Sequence, residues 1–283
     1  MKEKDSYHSY KDNLALPKNL KKYLPSSYDV IGHVALIKLP EELLNYKNCI
    51  AEAFLKSYKH IKTACLVKPV SGELRTRDIE IIGGENSLVT LHKEYGAIFE
   101  LDVSKVYFSP RLANERKRIA DSVKKNEVVV DMFTGVAPFP IIISKYSEPK
   151  IVYAIDKNKD AIEFAKHNIT KNRVLDKVEL ICDDSKNVSK IFSGSNVLAD
   201  RVIMNLPFSA LNYFKDALRI ISEKAVIHYY DIICEKDIND RIKRLKLIAD
   251  KEDIHLEKLD VNKIKSYSPS EFYIGINITA KKK

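Results

Sequence analysis

The chain has 283 residues, of which 45% are hydrophobic and 31% charged, and its net charge is +9. This length predicts one large domain and a smaller one, and no stretch approaches the roughly 18 uninterrupted apolar residues of a membrane span. The N-terminal MKEKDSYHSYKDN lacks the apolar run of a secretory signal, so we expect a cytoplasmic protein without a membrane partner. The excess of Lys and Arg favours a polyanionic partner, because contacts to phosphates release condensed counterions.

The first part of the chain predicts an arm and a small domain. Residues 1–24 are polar and lysine-rich, which indicates an N-terminal arm. Residues 25–104 predict a small α+β domain, in which Val30–Leu39 is a strand and Pro40 opens a helix that reaches Leu55. Further strands of this domain are predicted at Ala64–Val67, Ile79–Ile82, Leu88–Leu91 and Ala97–Leu101.

Residues 105–283 alternate strands with helices, which predicts βαβ units and a parallel, doubly wound sheet. The last two strands, His255–Ile264 and Phe272–Ile278, have no helix between them and should form an antiparallel hairpin. A Rossmann-like sheet that ends in such a hairpin is typical of class I methyltransferases, so the expected fold class is α/β. The other strands are predicted at Glu127–Phe133, Ile151–Asp156, Val178–Cys182, Arg201–Asn205 and Ala225–Tyr230.

The turn after the first of these strands, DMFTGVAPF, indicates the kind of cofactor. It contains one glycine, Gly135, whereas a dinucleotide site needs G-x-G-x-x-G. Asp131 at the strand end would attract a positively charged methionyl group and repel a pyrophosphate. Asp156 ends the next strand, 21 residues after Gly135, where an acidic residue binds ribose hydroxyls in nucleotide-binding sheets. A nucleotide-dependent oxidoreductase is therefore disfavoured, although NADH binding without S-adenosylmethionine binding would reverse that view.

The third strand ends in Cys182-Asp183-Asp184-Ser185. A carboxylate at this position can accept a hydrogen bond from the amino group of an adenine. Asp184 or Ser185 can also cap the helix that follows, and the two roles are compatible.

The fourth strand ends in Asn205-Leu206-Pro207-Phe208, at the edge where parallel sheets bind ligands. Asn205 offers a hydrogen-bond donor and an acceptor, and Pro207 stiffens the backbone. Phe208 can stack on a base. The alternative interpretation of this segment is an ordinary turn.

Five segments together resemble the archaeal and eukaryotic tRNA guanine-37 N1-methyltransferase family: SYDVIGHVALIKLPEEL, VYFSPRLANERKRIA, VVVDMFTGVAPF, ADRVIMNLP and IKSYSPSEF. The resemblance runs from about Leu24 to the C-terminus. It implies transfer of the methyl group of S-adenosylmethionine to N1 of the guanine 3′ of the anticodon. We therefore expect an RNA-binding domain at 25–104, a methyltransferase domain at 105–283, and a monomer that binds the tRNA anticodon stem-loop.

The resemblance also implies roles for individual residues. Arg111 of FSPRL would contact the target guanine, and Asn205 and Pro207 of NLP would hold the base once it has left its stack, with Phe208 beside them. The residues that would hold the cofactor are Asp131, Phe133, Gly135, Asp156, Asp183 and Asp184.

Guanine N1 carries a proton at neutral pH, so it becomes a nucleophile only after a base removes that proton. Negative charge then collects on O6, where Arg111 can stabilise it. Asp184 is the first candidate for the base, and Glu115 and Asp183 remain open. The guanine must also leave its stack to reach the methyl group.

The chain departs from the family pattern in three places. Only about 24 residues precede the match, where archaeal relatives carry a further domain that grips the tRNA body. Ala137 replaces the second glycine of the cofactor loop, and Phe208 replaces a common lysine. These departures keep open a second target, C7 of the tricyclic wyosine precursor at the same tRNA position.

Two further alternatives carry less weight. Aminocarboxypropyl transfer from the same cofactor is disfavoured, because we expect that sister family to lack the NLP tetrad. A non-catalytic RNA-binding protein is disfavoured by the intact polar residues. The four cysteines form no CxxC pair and predict no metal site, and the basic stretches Arg116–Lys125 and Arg241–Lys246 predict solvated helix faces.

Overall fold

The computed structural model describes residues 9–68, 78–195 and 197–283. The chain divides into two compact units, Met1–Arg111 and Leu112–Lys283, whereas the sequence predicted a boundary after residue 104. Residues 1–8 of the predicted arm lie outside the described ranges. Within those ranges, no helix combines the length and the apolar character that crossing a bilayer requires.

The first unit contains a four-stranded sheet of order β1-β2-β3-β4 and a separate β5–β6 hairpin. Strands β2 and β3 are parallel, and the helix α1 lies between them in the chain. The other strand pairs of this unit are antiparallel. The elements are β1 (Asp29–Ile31), β2 (Val34–Ile37), a 3-10 turn (Glu41–Tyr46), α1 (Lys47–Ser57), β3 (Thr63–Val67), β4 (Ile79–Gly84), β5 (Val89–Glu94) and β6 (Ala97–Asp102).

The segment 10–24, expected as part of an arm, belongs instead to the core of the first unit. Tyr10 is 2% exposed and stacks on Phe54 of α1 with 4.1 Å between ring centroids. Leu14 and Leu16 are buried in the same cluster. The sequence pattern missed this packing because three or four apolar residues in a polar segment are buried only when a distant element covers them.

The predicted strand Val30–Leu39 is broken by a tight turn into β1 and β2. Gly32 in this turn has φ +56°, a left-handed conformation that residues with a Cβ rarely adopt. A Cβ at Gly32 would also clash with Oγ1 of Thr90. The prediction of one continuous strand was therefore wrong, because the run of apolar letters concealed a turn that only glycine fits.

The second unit is built around a seven-stranded sheet of order β12-β13-β11-β10-β7-β8-β9. Strands β7 to β11 pair in parallel, and β13 pairs antiparallel with both β11 and β12. This confirms the α/β fold class and the C-terminal antiparallel hairpin. The elements are α2 (Ala113–Ser122), β7 (Val128–Asp131), α3 (Pro138–Tyr146), β8 (Ile151–Asp156), α4 (Lys159–Lys171), β9 (Val178–Cys182), α5 (Val188–Ile191), β10 (Ala199–Met204), α6 (Phe214–Arg219), β11 (Ile221–Cys234), α7 (Ile238–Asp250), β12 (Ile254–Ser266) and β13 (Glu271–Lys282).

Candidate active site

The carboxyl ends of the parallel strands gather most of the predicted polar residues at one edge of the second unit's sheet. Asp131 at the end of β7 lies opposite Ile203 of β10. Asp156 at the end of β8 lies opposite Cys182 of β9. Asn205 follows Ile203 by two residues and therefore lies at the same edge, where parallel sheets bind their ligands.

Asp131 is fully buried and incompletely paired. Its Oδ1 accepts a hydrogen bond from the Phe133 N–H (3.4 Å). Its Oδ2 and the buried Thr134 Oγ1 have no hydrogen-bond partner in the described part of the chain. Burial raises the pKa of Asp131 to about 7 and the negative charge of Asp156 adds to this effect, while the Phe133 N–H and the neighbouring Thr134 hydroxyl act in the opposite direction. A buried carboxylate next to an unsatisfied hydroxyl fits a ligand group that is positively charged and donates hydrogen bonds.

Asp156 ties two loops of this edge together. Its Oδ2 accepts from the N–H of Gly135 (2.7 Å), and its Oδ1 accepts from the N–H of Asn158 (2.9 Å). Burial raises the pKa of Asp156, while these two backbone donors act in the opposite direction. Each carboxylate oxygen has a second lone pair, so the arrangement is compatible with additional hydrogen bonds from ribose hydroxyls.

Ala137, the departure noted in the cofactor loop, is the N-cap of α3 and has φ +63°. The left-handed conformation costs a residue with a Cβ roughly 1–2 kcal/mol. Glycine would avoid this cost, so Ala137 carries a backbone strain that a glycine at this position would not. The preceding turn is held in place from α4, where Nδ2 of Asn168 donates to the carbonyl oxygen of Val136 (3.2 Å).

Phe133 lies at the same edge and is positioned by an aromatic residue that the sequence did not single out. Its ring meets that of Tyr213 at 81° with 4.9 Å between centroids. Tyr213 is 6% exposed, so Phe133 packs against a fixed partner. Nζ of Lys186 lies 5.5 Å from the Tyr213 ring.

Asp183 and Asp184 organise the turn after β9. Oδ1 of Asp184 accepts from the Lys186 N–H (2.9 Å), which is the capping role predicted as compatible with cofactor binding. Oδ1 of Asp183 accepts from the N–H of Asp184 (2.7 Å) and from Nδ2 of Asn187 (2.9 Å). Nζ of Lys157 lies 3.8 Å from Oδ2 of Asp184. Over the described ranges, no group of three or more His, Cys, Asp or Glu is suited to a metal ion.

Asn205 is positioned by a residue that comes much later in the chain. Its Oδ1 accepts a hydrogen bond from the hydroxyl of Tyr273, 68 positions further along, on β13. Tyr273 is 2% exposed, so this bond fixes the orientation of the amide. Pro207 is buried next to it in the chain. No sequence signal pointed to Tyr273, because its role depends on the position of β13 in the sheet.

Phe208 adopts a backbone conformation that is unusual for a bulky residue, with φ +73°, and its side chain is 53% exposed. Its N–H donates to Oδ1 of Asp231 (3.3 Å), a residue only 1% exposed. Oδ2 of Asp231 accepts from the Tyr229 hydroxyl (2.8 Å) and pairs with Arg241 (2.8 Å). The prediction of a solvated face was thus wrong for Arg241, and also for Arg116, which is 1% exposed. A single Asp in the apolar run AVIHYYDIIC was the available signal for this cluster.

Glu115 on α2 reaches the same edge of the sheet and is 7% exposed. Its two carboxylate oxygens accept from Nε and Nη2 of Arg118 (2.8 and 2.7 Å), and its Oε1 also accepts from the hydroxyl of Tyr230 (2.7 Å). Met204 of β10 pairs with Tyr229 of β11. The next residues along these two parallel strands are Asn205 and Tyr230, which are therefore adjacent in register. Glu115 is therefore held close to the strand end that carries Asn205.

Arg111 is the last residue of the first unit. Its Nε donates to Oδ1 of Asp29 (2.7 Å), and its Nη2 donates to the carbonyl oxygen of Tyr28 (3.4 Å). The side chain is 44% exposed. Its contact with a target guanine stays a prediction.

Two known domains match the chain. Residues 90–257 match the TRM5/TYW2 methyltransferase domain, and residues 10–87 match the TYW2 N-terminal domain. The chain is 38% identical over 272 residues to the tRNA (guanine(37)-N(1))-methyltransferase Trm5b of Pyrococcus abyssi, covering 95% of this chain and 79% of that protein. It is 34% identical over 254 residues to the tRNA(Phe) (4-demethylwyosine(37)-C(7)) aminocarboxypropyltransferase of Methanocaldococcus jannaschii, covering 88% of this chain and 96% of that protein.

Solved structures show the same two kinds of similarity. The complex of aTrm5 with tRNALeu superposes with a TM-score of 0.80 at 38% identity, covering 93% of this chain and 74% of that chain. The TYW2 of M. jannaschii in complex with AdoMet superposes with a TM-score of 0.69 at 32% identity, covering 91% of this chain and 100% of that chain.

Proposed function

Because the chain belongs to the TRM5/TYW2 methyltransferase family, we propose that it transfers the methyl group of S-adenosylmethionine to N1 of guanine 37 in tRNA. The family predicted from the five sequence segments is confirmed by these matches. One observation carries the proposed reaction: the buried carboxylate of Asp131 has an unpartnered oxygen at the sheet edge that also holds Asn205 of the NLP motif.

S-adenosylmethionine supplies an electrophilic methyl group on a positively charged sulfur. Asp131 fits its methionyl part, because a cation and its hydrogen-bond donors would satisfy the buried oxygen. Asp156 would accept from the ribose hydroxyls, and Asp183 or Asp184 from the adenine amino group. Phe133 and Gly135 would shape the loop around the cofactor.

The target guanine would bind at the end of β10. Asn205 and Pro207 would hold the extruded base, Phe208 would stack on it, and Arg111 would stabilise the negative charge that develops on O6. Asn205 is suited to this role because its bond to Tyr273 removes the rotational freedom of the amide. Preorganised donors of this kind stabilise developing charge without a reorganisation penalty.

Among the three carboxylates that the sequence left open as proton acceptor, Glu115 is favoured. It lies beside Tyr230 at the strand end that carries Asn205, whereas Asp184 caps a turn and Asp183 bonds Asn187. Glu115 would take the proton from guanine N1, which leaves the electron pair on N1 available to the methyl carbon. Arg118 would hold the carboxylate in place during this transfer.

The test is methylation of tRNA transcripts with methyl-labelled S-adenosylmethionine, followed by nucleoside mass spectrometry. We expect 1-methylguanosine from a transcript with guanine at position 37 and no product from its adenine-37 counterpart. Labelling of both transcripts, or of neither, would contradict the proposed target.

A second candidate function is aminocarboxypropyl transfer to C7 of 4-demethylwyosine. It is favoured by the match of residues 10–87 to the TYW2 N-terminal domain and by the nearly complete coverage of the aminocarboxypropyltransferase relative. The released nucleoside separates the two reactions: methyl transfer yields S-adenosylhomocysteine, and aminocarboxypropyl transfer yields methylthioadenosine. S-adenosylhomocysteine together with label in the tricyclic base would instead identify the C7 methylation considered from the sequence.

We also propose that the protein acts in the cytoplasm as a monomer that binds the tRNA anticodon stem-loop. The net charge of +9 supports an RNA partner, because phosphate contacts are driven by counterion release. Light scattering of the protein with and without the stem-loop measures the stoichiometry, and a stable dimer would overturn the monomer.

A further inference from the structure

Two large aromatic side chains are exposed and touch each other beside the Asn205 strand end. Phe208 is 53% exposed, and Tyr267, near the tip of the β12–β13 hairpin, is 52% exposed. Their ring centroids lie 5.6 Å apart with an interplanar angle of 75°. We call Phe208 and Tyr267 the aromatic pair. Exposed apolar groups that cluster in this way indicate a binding surface.

The buried carboxylate of Asp231 holds Phe208 in an unfavourable backbone conformation. Its φ of +73° is disfavoured for any residue with a Cβ, and its ring gains little burial in return. The N–H of Phe208 is bound by Asp231, which Arg241 and Tyr229 hold in turn. Strained residues that are fixed by buried polar partners are concentrated at functional sites.

Tyr267 lies in the turn between β12 and β13. Its N–H donates to the carbonyl oxygen of Glu271 (2.9 Å), which fixes the start of the hairpin turn. Nearby on β12, Nζ of Lys265 lies 5.1 Å from the ring of Tyr273, the residue that bonds Asn205. The turn is also flanked by a carboxylate, that of Glu271, which accepts from the Ser268 hydroxyl (3.0 Å), so the case for Tyr267 depends on its exposed ring and not on local charge.

We propose that the aromatic pair receives two unpaired nucleobases of the RNA substrate: Phe208 stacks on the base that Asn205 and Pro207 hold, and Tyr267 is a stacking platform for its neighbour. This inference rests on the proposed function, because it needs an RNA loop at the β10 end. Extruding one base leaves its neighbour without a stacking partner, and an exposed ring can replace that partner for any base. Tyr267 thereby becomes a binding residue for the substrate.

The experiment uses an RNA stem-loop with guanine at the target position and 2-aminopurine directly 3′ of it, because stacking quenches 2-aminopurine fluorescence. We expect quenching when this RNA binds the protein. Tyr267→Ala should abolish the quenching and weaken RNA binding about tenfold, the size of a lost base–aromatic stack. Tyr267→Phe should retain both effects, since the ring and not the hydroxyl does the stacking.

Tyr146→Ala is the matched control, because it removes a 44% exposed tyrosine from the C-terminal end of α3, away from the carboxyl edge of the sheet. It should bind and quench as the wild type does. If Tyr267→Ala also does so, or if the wild type binds without quenching, the platform is overturned. Methyl transfer by the wild type into the same RNA is measured in parallel, so failure of that reaction contradicts the proposed function separately from the platform.

Discussion

The two halves of the candidate site are constructed differently. The cofactor half, formed by the loops after β7, β8 and β9, is held mainly by backbone N–H groups over short sequence distances; Gly135 and Asp156, for example, are 21 residues apart. In the base half, at the end of β10, Asn205 depends on Tyr273, 68 residues away, and Glu115 depends on Tyr230, 115 residues away. A local motif therefore describes the first half, while sheet order assembles the second.

The largest effect is expected in the base half. Glu115→Gln should lower kcat by about 10²–10⁴, the usual contribution of a positioned base, and should leave cofactor affinity nearly unchanged. Asp184→Asn is the matched control, because it removes the rival carboxylate from the cofactor half. Steady-state rates at saturating tRNA and S-adenosylmethionine give kcat for both variants, and a larger kcat loss in Asp184→Asn would move the proton acceptor to the cofactor half.

Asn205→Ala should lower kcat by about 10²–10³, as expected when one preorganised donor is removed from developing charge. The matched control is Asn212→Ala, which changes an exposed asparagine in the turn that follows. This variant should behave as the wild type. The measurement is the methylation rate at saturating tRNA and S-adenosylmethionine. If Asn205→Ala methylated tRNA at the wild-type rate, Asn205 would not contact the reacting guanine.

Asp231→Asn should show how far the base half depends on distant partners. It leaves the half-buried Arg241 without its charge partner, so the free energy of unfolding should fall by about 3 kcal/mol. Asp240→Asn removes an exposed carboxylate from the same helix as Arg241 and should cost less than about 1 kcal/mol. Urea unfolding measures both variants, and equal losses would mean that the Asp231 cluster contributes no special stability.

The smallest effect concerns the cofactor half and its dependence on pH. With a pKa of about 7, Asp131 gains its charge between roughly pH 6 and 8, so affinity for the cationic cofactor should rise about tenfold over that range. Calorimetric titration with S-adenosylmethionine measures this, and Asp131→Asn should abolish the rise. A flat wild-type profile would mean that Asp131 does not meet the cationic group.

The same variant should also change stability, with a definite sign. Because the folded state raises the pKa of Asp131 above its unfolded value, its stabilising contribution is complete at acid pH and is lost as the pH rises through about 7. Asp131→Asn avoids this loss, so at pH 8 its free energy of unfolding should exceed that of the wild type. Lower stability of the variant at pH 8 would contradict the buried, ionised carboxylate.

The difference between the halves explains which sequence predictions succeeded. The carboxylates at the ends of β7, β8 and β9 could be predicted, because strand ends follow from apolar runs and a parallel sheet places those ends together. Asp231 and Arg241 were missed, since a basic helix face looks solvated until a buried acid is known to lie beneath it. Tyr10 was missed for the same reason, because its burial requires Phe54.

By itself, the sequence determined the alternation of strands and helices, the C-terminal hairpin, the family and the polar residues at the strand ends. These features depend on local periodicity, on turn residues and on short motifs. Only the tertiary structure decided which partners complete the site: Tyr273 for Asn205, Asp231 for Phe208, and Tyr230 with Arg118 for Glu115. The hydrogen bonds of Glu115 and Phe208, for example, are 2.7 and 3.3 Å long and join residues that are remote in the chain. Such residues come within this distance only when their strands pair in one particular register. The physical reason is therefore that register is a property of the assembled sheet.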